Sequence, residues 1–337
     1  MSDLANIEDI YTLSPLQEGI LFHTLYASTT TMYTNQMSFI IKGELDIGAF
    51  RRSWEDVVES QAVLRTSVVY EHGQKPVQVV YRHLALPFTE LDWRSRSPED
   101  QNQCLDNFCQ EDFERGFVLS KPPLMRLTFI HLAQEKYQVI WTTHHIILDG
   151  WSRSLLIEEV FERYQAYCQG KLPAKRNSHP YRDYIAWLQK NPTQAEDFWR
   201  AVLKGKTAPT PLDLDTFHQP EQAQTNQPAI EWREAPPEVW EQLRLLARQH
   251  QVTVNTIIQG AWGLLLSHYS EEQDILFGVT LSGRPTTLPG VESMVGLFIN
   301  TLPLRIQVRP DISLGSWLQE IFALQGRLLQ HQQSSLV

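Results

Sequence analysis

From Tyr137 to Ile147 the chain reads YQVIWTTHHII. Extended, one face of this run carries Val139, Trp141, Thr143, His145 and Ile147, and the other carries Ile140, Thr142, His144 and Ile146. Both faces are mostly apolar, so the run predicts a strand in the middle of a sheet and covered on both sides. Two histidines near the end of such a strand are costly to bury unless each finds a partner. Asp149 and Gly150 then break the strand, and the helical pattern WSRSLLIEEVFERYQAYCQ begins at Trp151. His145 is thereby delivered to a strand end at a turn, where sheet-based folds tend to receive ligands.

The remaining pattern predicts helices and strands mixed throughout, an α+β chain. In LSPLQEGILFHTLY, Ser14 caps a helix, Pro15 takes its first position and Gln17 is placed to close a capping box. NQMSFIIKGEL reads as a strand, and Asp46 caps IGAFRRSWEDVVESQ, where Phe50, Trp54, Val57 and Val58 share one face. LRTSVVYE and PVQVVYR read as a hairpin around HGQK, and LMRLTFIHL pairs with the histidine strand around AQEK. Between these pairs, Ser97 and Pro98 open another helix. The breaker-rich GKLPAKRNSHP marks a joint near residue 175, dividing the chain into 1–175 and 176–337. Past the joint come two short helices, an exposed polar connection in KGKTAPTPLDLDTFHQPEQAQTNQP, helices at PPEVWEQLRLLARQH and TVNTIIQGAWGLLLSHY, strands at DILFGVTLS and NTLPLRIQV, and a closing helix from LGSWLQEIF.

Composition removes several function classes. The formal net charge is -10 and no lysine and arginine run stands out, which leaves no source of attraction to a phosphate backbone and predicts no nucleic-acid partner. No uninterrupted apolar segment reaches membrane-spanning length, and the N-terminus lacks the basic flank and apolar run of a secretory signal. Three cysteines, none in a CxxC pair, fit a reducing compartment, so the sequence predicts a cytoplasmic protein with no membrane contact.

The histidines admit three readings: a metal site, a base, or a satisfied polar knot in the core. Adjacent residues of a strand point to opposite faces, so His144 and His145 cannot readily share an ion, and no nearby cluster supplies further ligands. The sequence predicts no metal. Two histidines, an aspartate and a glycine within seven residues of a strand otherwise nearly devoid of polarity are hard to keep for packing alone. No GxSxG elbow, GxxxxGK[ST] loop or GxGxxG fingerprint is present, which leaves covalent catalysis and nucleotide use without a visible site. Chemistry needing only one neutral imidazole and good positioning remains, such as acyl transfer from an activated ester to an amine or hydroxyl.

These residues resemble a known family. HHIILDGWS is similar to the HHxxxDG motif of the condensation domains of nonribosomal peptide synthetases. YTLSPLQEGILFH resembles the family's opening motif, Leu64 to Thr66 its second, and GVTLSGRP and MVGLFINTLPLR its later ones, all in the family's order. The resemblance implies a two-lobed pseudodimer similar to chloramphenicol acetyltransferase, with a tunnel between the lobes. It implies peptide-bond formation between a donor peptidyl or aminoacyl thioester and an acceptor aminoacyl thioester. Both would sit on the phosphopantetheine arms of carrier domains that enter the tunnel, and the domain itself would bind no cofactor covalently.

Carried over residue by residue, the resemblance makes His145 the catalytic histidine, either accepting the amine's proton or positioning the amine. It makes His144 a structural neighbour and Gly150 the source of backbone room beside the reacting carbonyl. It pairs Asp149 with Arg65, which agrees with the need of an ionised aspartate under a covered strand for a cation. Trp151, Ser282 and Asn300 are candidates for tunnel lining, with helix-start packing for Trp151 and capping turns for the other two as the alternatives. The wording LSPLQEGILFH resembles the subtype that joins a donor of D configuration to an acceptor of L configuration. Where family members often carry Arg-His ahead of the second motif, this chain has Ser60 and Gln61. Family members also continue beyond LLQHQQSSLV, so the C-terminal lobe is expected to be incomplete. Met1 stands close before the first motif, which predicts a donor carrier on another polypeptide with residues 1 to 12 as a docking surface, or else a start cut at a domain edge. Two other activities stay open: a related acyltransferase that uses coenzyme A or forms an ester, and a noncatalytic recruitment module on the same fold. A recruitment role places no demand on the intact His144, His145, Asp149 and Gly150.

Overall fold

The computed structural model describes residues 4–26, 31–71, 74–174, 179–191, 195–211 and 231–334. Contacts divide the chain into two compact units: Met1–Pro192 with Ser282–Ile299, and Thr193–Leu281 with Asn300–Ser334.

The first unit is built on a four-stranded sheet. Thr34–Lys42 (β2), Phe88–Asp92 (β5), Met125–Ala133 (β6) and Lys136–His144 (β7) lie in the order β2-β7-β6-β5. β7 is antiparallel to both neighbours and β5 runs parallel to β6. Period-two alternation decides what covers each face. Val139 and Trp141 of β7, with Leu127 and Phe129 of β6, meet Phe50, Trp54 and Val57 of the helix Ile47–Ser60 (α2) and Leu156 and Val160 of Gly150–Cys168 (α4). Ile140 and Ile130 turn the other way, toward Leu105 and Phe108 of Pro98–Arg115 (α3). The histidine strand is thus central and covered on both sides. A second sheet in the order β1-β4-β3 joins Ile7–Thr12 (β1), Val77–Tyr81 (β4) and Thr66–Val69 (β3).

The helix starts follow the capping chemistry. Ahead of Pro15–Tyr26 (α1), the Ser14 amide donates to Gln17 Oε1 at 2.9 Å and the Gln17 amide to Ser14 Oγ at 3.3 Å, a closed capping box. Asp46 accepts from the Ala49 amide at 2.9 Å and Ser97 from the Asp100 amide at 3.1 Å.

The second unit holds Glu196–Val202 (α6), Pro237–His250 (α7), Val254–Ser270 (α8) and Leu314–Gln330 (α9) with the antiparallel pair Asp274–Leu281 (β8) and Asn300–Gln307 (β9). Leu304 and Ile306 pack with Trp317, Leu318 and Ile321 of α9. α8 approaches closely because it carries glycines on this side: a Cβ on Gly260 would lie 3.0 Å from Leu318, and one on Gly263 would lie 3.3 Å from Ile306.

Three differences from the sequence reading have physical reasons. β7 stops at His144, whereas the apolar pattern runs to Ile147; Ile146 and Ile147 are buried in a turn, and burial alone cannot distinguish a strand from a turn folded into a core. The helix Tyr181–Lys190 (α5) lies beyond the expected joint near residue 175, yet it belongs to the first unit. Tyr181, Tyr184 and Ile185 pack on Leu288, Val291, Met294 and Phe298 of the returning segment, which a local count of breakers cannot register. β1 (IEDIYT) and β5 (FTELD) do not alternate apolar and polar residues in sequence, and the sequence reading passed over both. Residues 175–178 of the expected joint and 212–230 of the expected polar connection lie outside the described residues. Among the described residues no helix is long and apolar enough to cross a membrane.

Candidate active site

The turn after β7 carries the two histidines. The His144 amide donates to the Leu124 carbonyl at 3.0 Å, and its ring Nδ1 accepts from the Ile146 amide at 3.2 Å. That acceptance fixes His144 as the tautomer protonated at Nε2. Burial, with His145 alongside, pushes the His144 pKa down to about 3, so the ring is neutral near pH 7. Phe117 stands edge-on to this ring at 6.3 Å. His145 is only half buried; its amide donates to the Tyr33 carbonyl at 2.7 Å, and its Nδ1 is buried with no hydrogen-bond partner among the described residues. The two rings therefore differ: one is committed to the fold and one keeps an unused nitrogen.

Asp149 is fully buried and caps α4, accepting from the Ser152 amide at 2.8 Å through Oδ1 and from the Phe298 amide at 3.0 Å through Oδ2. Its cation is Arg284, with Nη2 3.6 Å from Oδ1. This corrects the expected pairing with Arg65. The Arg65 guanidinium pairs with Glu8 at 2.6 Å and donates to the carbonyls of Val58, Tyr81 and Arg82, tying β1 and β4 to the end of α2. The sequence reading held that Asp149 needs a cation but took Arg65 for it from the family resemblance.

Arg284 is held as firmly as the carboxylate it serves. It donates to Ser152 Oγ at 2.9 Å and to the carbonyls of Met294 and Val291, and its guanidinium lies 3.9 Å from the Phe298 ring centre. Ser152 Oγ donates to the Gly296 carbonyl at 2.7 Å and accepts from the Gly296 amide at 3.0 Å. The Asp149 amide reaches that carbonyl at 3.1 Å. Tyr181, its pKa driven far upward by burial, stays protonated and donates to the Leu297 carbonyl at 2.6 Å. Gly296 admits this close approach, since a Cβ there would stand 2.1 Å from the Tyr181 ring. The start of α4 and the returning segment 282–299 thus form one polar knot beside the histidine turn. Arg284, Ser152, Gly296 and Tyr181 escaped the sequence reading, although the GVTLSGRP stretch that contains Arg284 was singled out.

The other predicted residues are dispersed. Gly150 opens α4 and is exposed. Trp151 is half exposed, donates to the Glu292 carbonyl at 3.0 Å and lies against Arg284, so it packs α4 onto the returning segment. Ser282 is exposed just after β8. Asn300 belongs to the second unit, where its amide donates to the carbonyls of Gln332 and Ser334 at 2.9 and 2.8 Å. Both Asn300 amide hydrogens are used to hold the end of that unit, which leaves the expected tunnel-lining role without support. Among the described residues, no group of three or more histidine, cysteine, aspartate or glutamate side chains is placed to hold a metal ion.

Comparison with known proteins extends this picture. A family model described as "Condensation domain" matches residues 7–336. One component of the linear gramicidin synthase of Brevibacillus parabrevis is 40% identical over 344 residues, covering 100% of this chain and 4% of that protein. A second component of the same synthase is 42% identical over 337 residues, covering 98% and 6%. The chain thus spans a small fraction of the curated relatives it matches. The crystal structure of the first condensation domain of the CDA synthetase superposes with a TM-score of 0.76 at 19% identity, covering 97% of this chain and 77% of that one. At that identity the likeness is one of fold, the chloramphenicol-acetyltransferase-like α+β architecture that the family resemblance implies. With the family match running from β1 through the histidine turn to residue 336, the chain belongs to the condensation-domain family.

Proposed function

We propose that the chain catalyses amide-bond formation between two carrier-bound thioesters in nonribosomal peptide synthesis. The observation that carries this reading is the asymmetry of the histidine pair: His144 is buried and spent on the turn, while His145 is only partly buried and its Nδ1 bonds to nothing among the described residues. The acceptor amine attacks the donor thioester carbonyl; a C–N bond forms, the C–S bond breaks, and the amine's proton ends on the departing phosphopantetheine thiol. His145 accepts that proton in passing, or orients the amine and stabilises the developing charge; both roles require an imidazole at hydrogen-bond distance from the reacting nitrogen. No covalent enzyme intermediate is needed. Gly150 supports the reading from another side. A Cβ there would meet only Arg153 at 3.9 Å, and Gly150 is not among the glycines with positive φ, so the fold itself places no demand for glycine. On the proposed reading the glycine keeps room beside the reacting carbonyl.

The partners are then an upstream donor and a downstream acceptor peptidyl carrier domain, with a D-configured donor residue and an L-configured acceptor. Phosphopantetheine arrives on those carriers. The three free cysteines suit the cytoplasmic setting of such a reaction. The test is intact-protein mass spectrometry of two separately loaded carriers, with the acceptor bearing either an amino acid or its α-hydroxy counterpart. Transfer to the amine alone is expected; transfer to the hydroxy acceptor alone would replace the amide reading with an ester-forming one.

A further inference from the structure

The backbone-to-backbone hydrogen bonds within the turn that carries His145 are long. The Ile147 amide reaches the His144 carbonyl, and the Leu148 amide the His145 carbonyl, at 3.3 Å each, beyond the usual range for a good N–H···O bond. The bonds that reach it from outside are shorter: 2.7 Å from the His145 amide to Tyr33, 3.0 Å from the His144 amide to Leu124, and 2.9 Å from Gln17 Nε2 to the Ile146 carbonyl. Of these three, the last alone comes from a side chain. Gln17 lies in the first turn of α1, distant in sequence, and is fully buried.

Its amide cannot turn away. Oε1 accepts from the Ser14 amide at 2.9 Å and from Gln78 Nε2 at 3.0 Å, while Nε2 donates to Gln78 Oε1 at 2.9 Å as well as to Ile146. Gln78, buried on β4, gives its second hydrogen to the Thr12 carbonyl at 3.0 Å. Both amides use every hydrogen they have, so flipping either one would set donors against donors. The capping box at the start of α1 thus fixes the orientation of the same group that grips the histidine turn.

We propose that Gln17 is a positioning residue for His145: it holds the Ile146 peptide and, through it, the place of the imidazole, with Gln78 supporting Gln17 and spending both of its amide hydrogens on Gln17 and the Thr12 carbonyl. This inference rests on the reading that His145 serves the reacting amine. Releasing the Ile146 carbonyl leaves a buried acceptor without a donor, and the turn must shift to satisfy it. A displacement of about 1 Å at a reacting group costs on the order of a hundredfold in rate.

The experiment compares Gln17→Met with Gln78→Met in the full chain. Each removes one buried amide of the pair, so similar losses of melting temperature are expected; Gln78→Met leaves the Gln17 bond to Ile146 in place. Transfer between loaded carriers gives kcat and the KM for the acceptor carrier, and the His145 ring resonances in a nitrogen-15 correlation spectrum report its position without substrate. Gln17→Met is expected to lower kcat roughly a hundredfold with KM unchanged and to move the His145 resonances, while Gln78→Met does neither. Equal kcat losses in the two variants, or no loss in Gln17→Met, overturn the positioning role. If Gln17→Met does not fold, Gln17→Glu makes the same comparison, because it keeps the capping-box acceptor and loses both donors. A wild-type chain that transfers nothing counts against the proposed reaction. The resonances then decide the positioning claim alone: a shift confined to the Gln17 variants upholds it, and a shift shared by Gln78→Met, or none, overturns it.

Discussion

Lowering the pH from 7.5 to 5.0 tests the assignment of His144 to the fold. In the native protein the pKa of His144 is pushed down to about 3 by burial and by His145, against about 6.5 for an unperturbed histidine. Between these values the unfolded chain binds a proton that the folded chain refuses, so stability rises with pH through the window and falls as pH drops below about 6.5. At pH 7.5 the unfolded histidine is almost wholly neutral and nothing is lost. At pH 5.0 protonation of the unfolded state costs about 2 kcal/mol, from roughly 1.5 pH units at 1.36 kcal/mol each. Urea titration by tryptophan fluorescence at the two pH values measures this in the wild type and in His144→Asn, whose amide oxygen can still accept from Ile146 but does not titrate. The other titrating groups are common to both proteins, so the wild type should lose about 2 kcal/mol more than the variant. Parallel losses would refute the claim that His144 is held neutral by the fold.

Asp149→Ala should destabilise the protein by about 3 to 5 kcal/mol, since Arg284 would be left buried without its carboxylate; thermal melting checks this, with Arg284→Met paired against Asp149→Ala to expose their coupling. Arg65→Met should cost far more stability than Glu8→Gln, because Arg65 also serves three carbonyls while Glu8 is exposed and replaceable by water; urea midpoints of the two variants decide it. Gly150→Val should leave the melting temperature within a few degrees and strongly reduce transfer between carriers, the opposite pattern to Asp149→Ala.

What the sequence made legible was local. Ser14, Asp46 and Ser97 announce their helices because capping is settled within four residues, and β7 announces its central place because both of its faces are apolar. The need for a cation at Asp149 was legible too, as a statement about burial. Its identity was not, because Arg284 reaches the site only after the chain has passed through the second unit and returned along 282–299. The same return explains why α5 was assigned to the wrong side of the joint: its partners Val291, Met294 and Phe298 lie on that segment. Gln17 was read as a capping residue, correctly, but its second role depends on Ile146 arriving opposite its free hydrogen. Ser282 and Asn300 were drawn from motif wording, and their surroundings are set by different units of the fold.

The central claim is that His145 serves the reaction and His144 the fold. Intact-protein mass spectrometry of single-turnover transfer between two loaded carriers, comparing wild type with folded His145→Ala, tests it most directly. A loss of roughly 10²- to 10⁴-fold with an unchanged melting temperature is the predicted result. Transfer by His145→Ala at the wild-type rate would contradict the account.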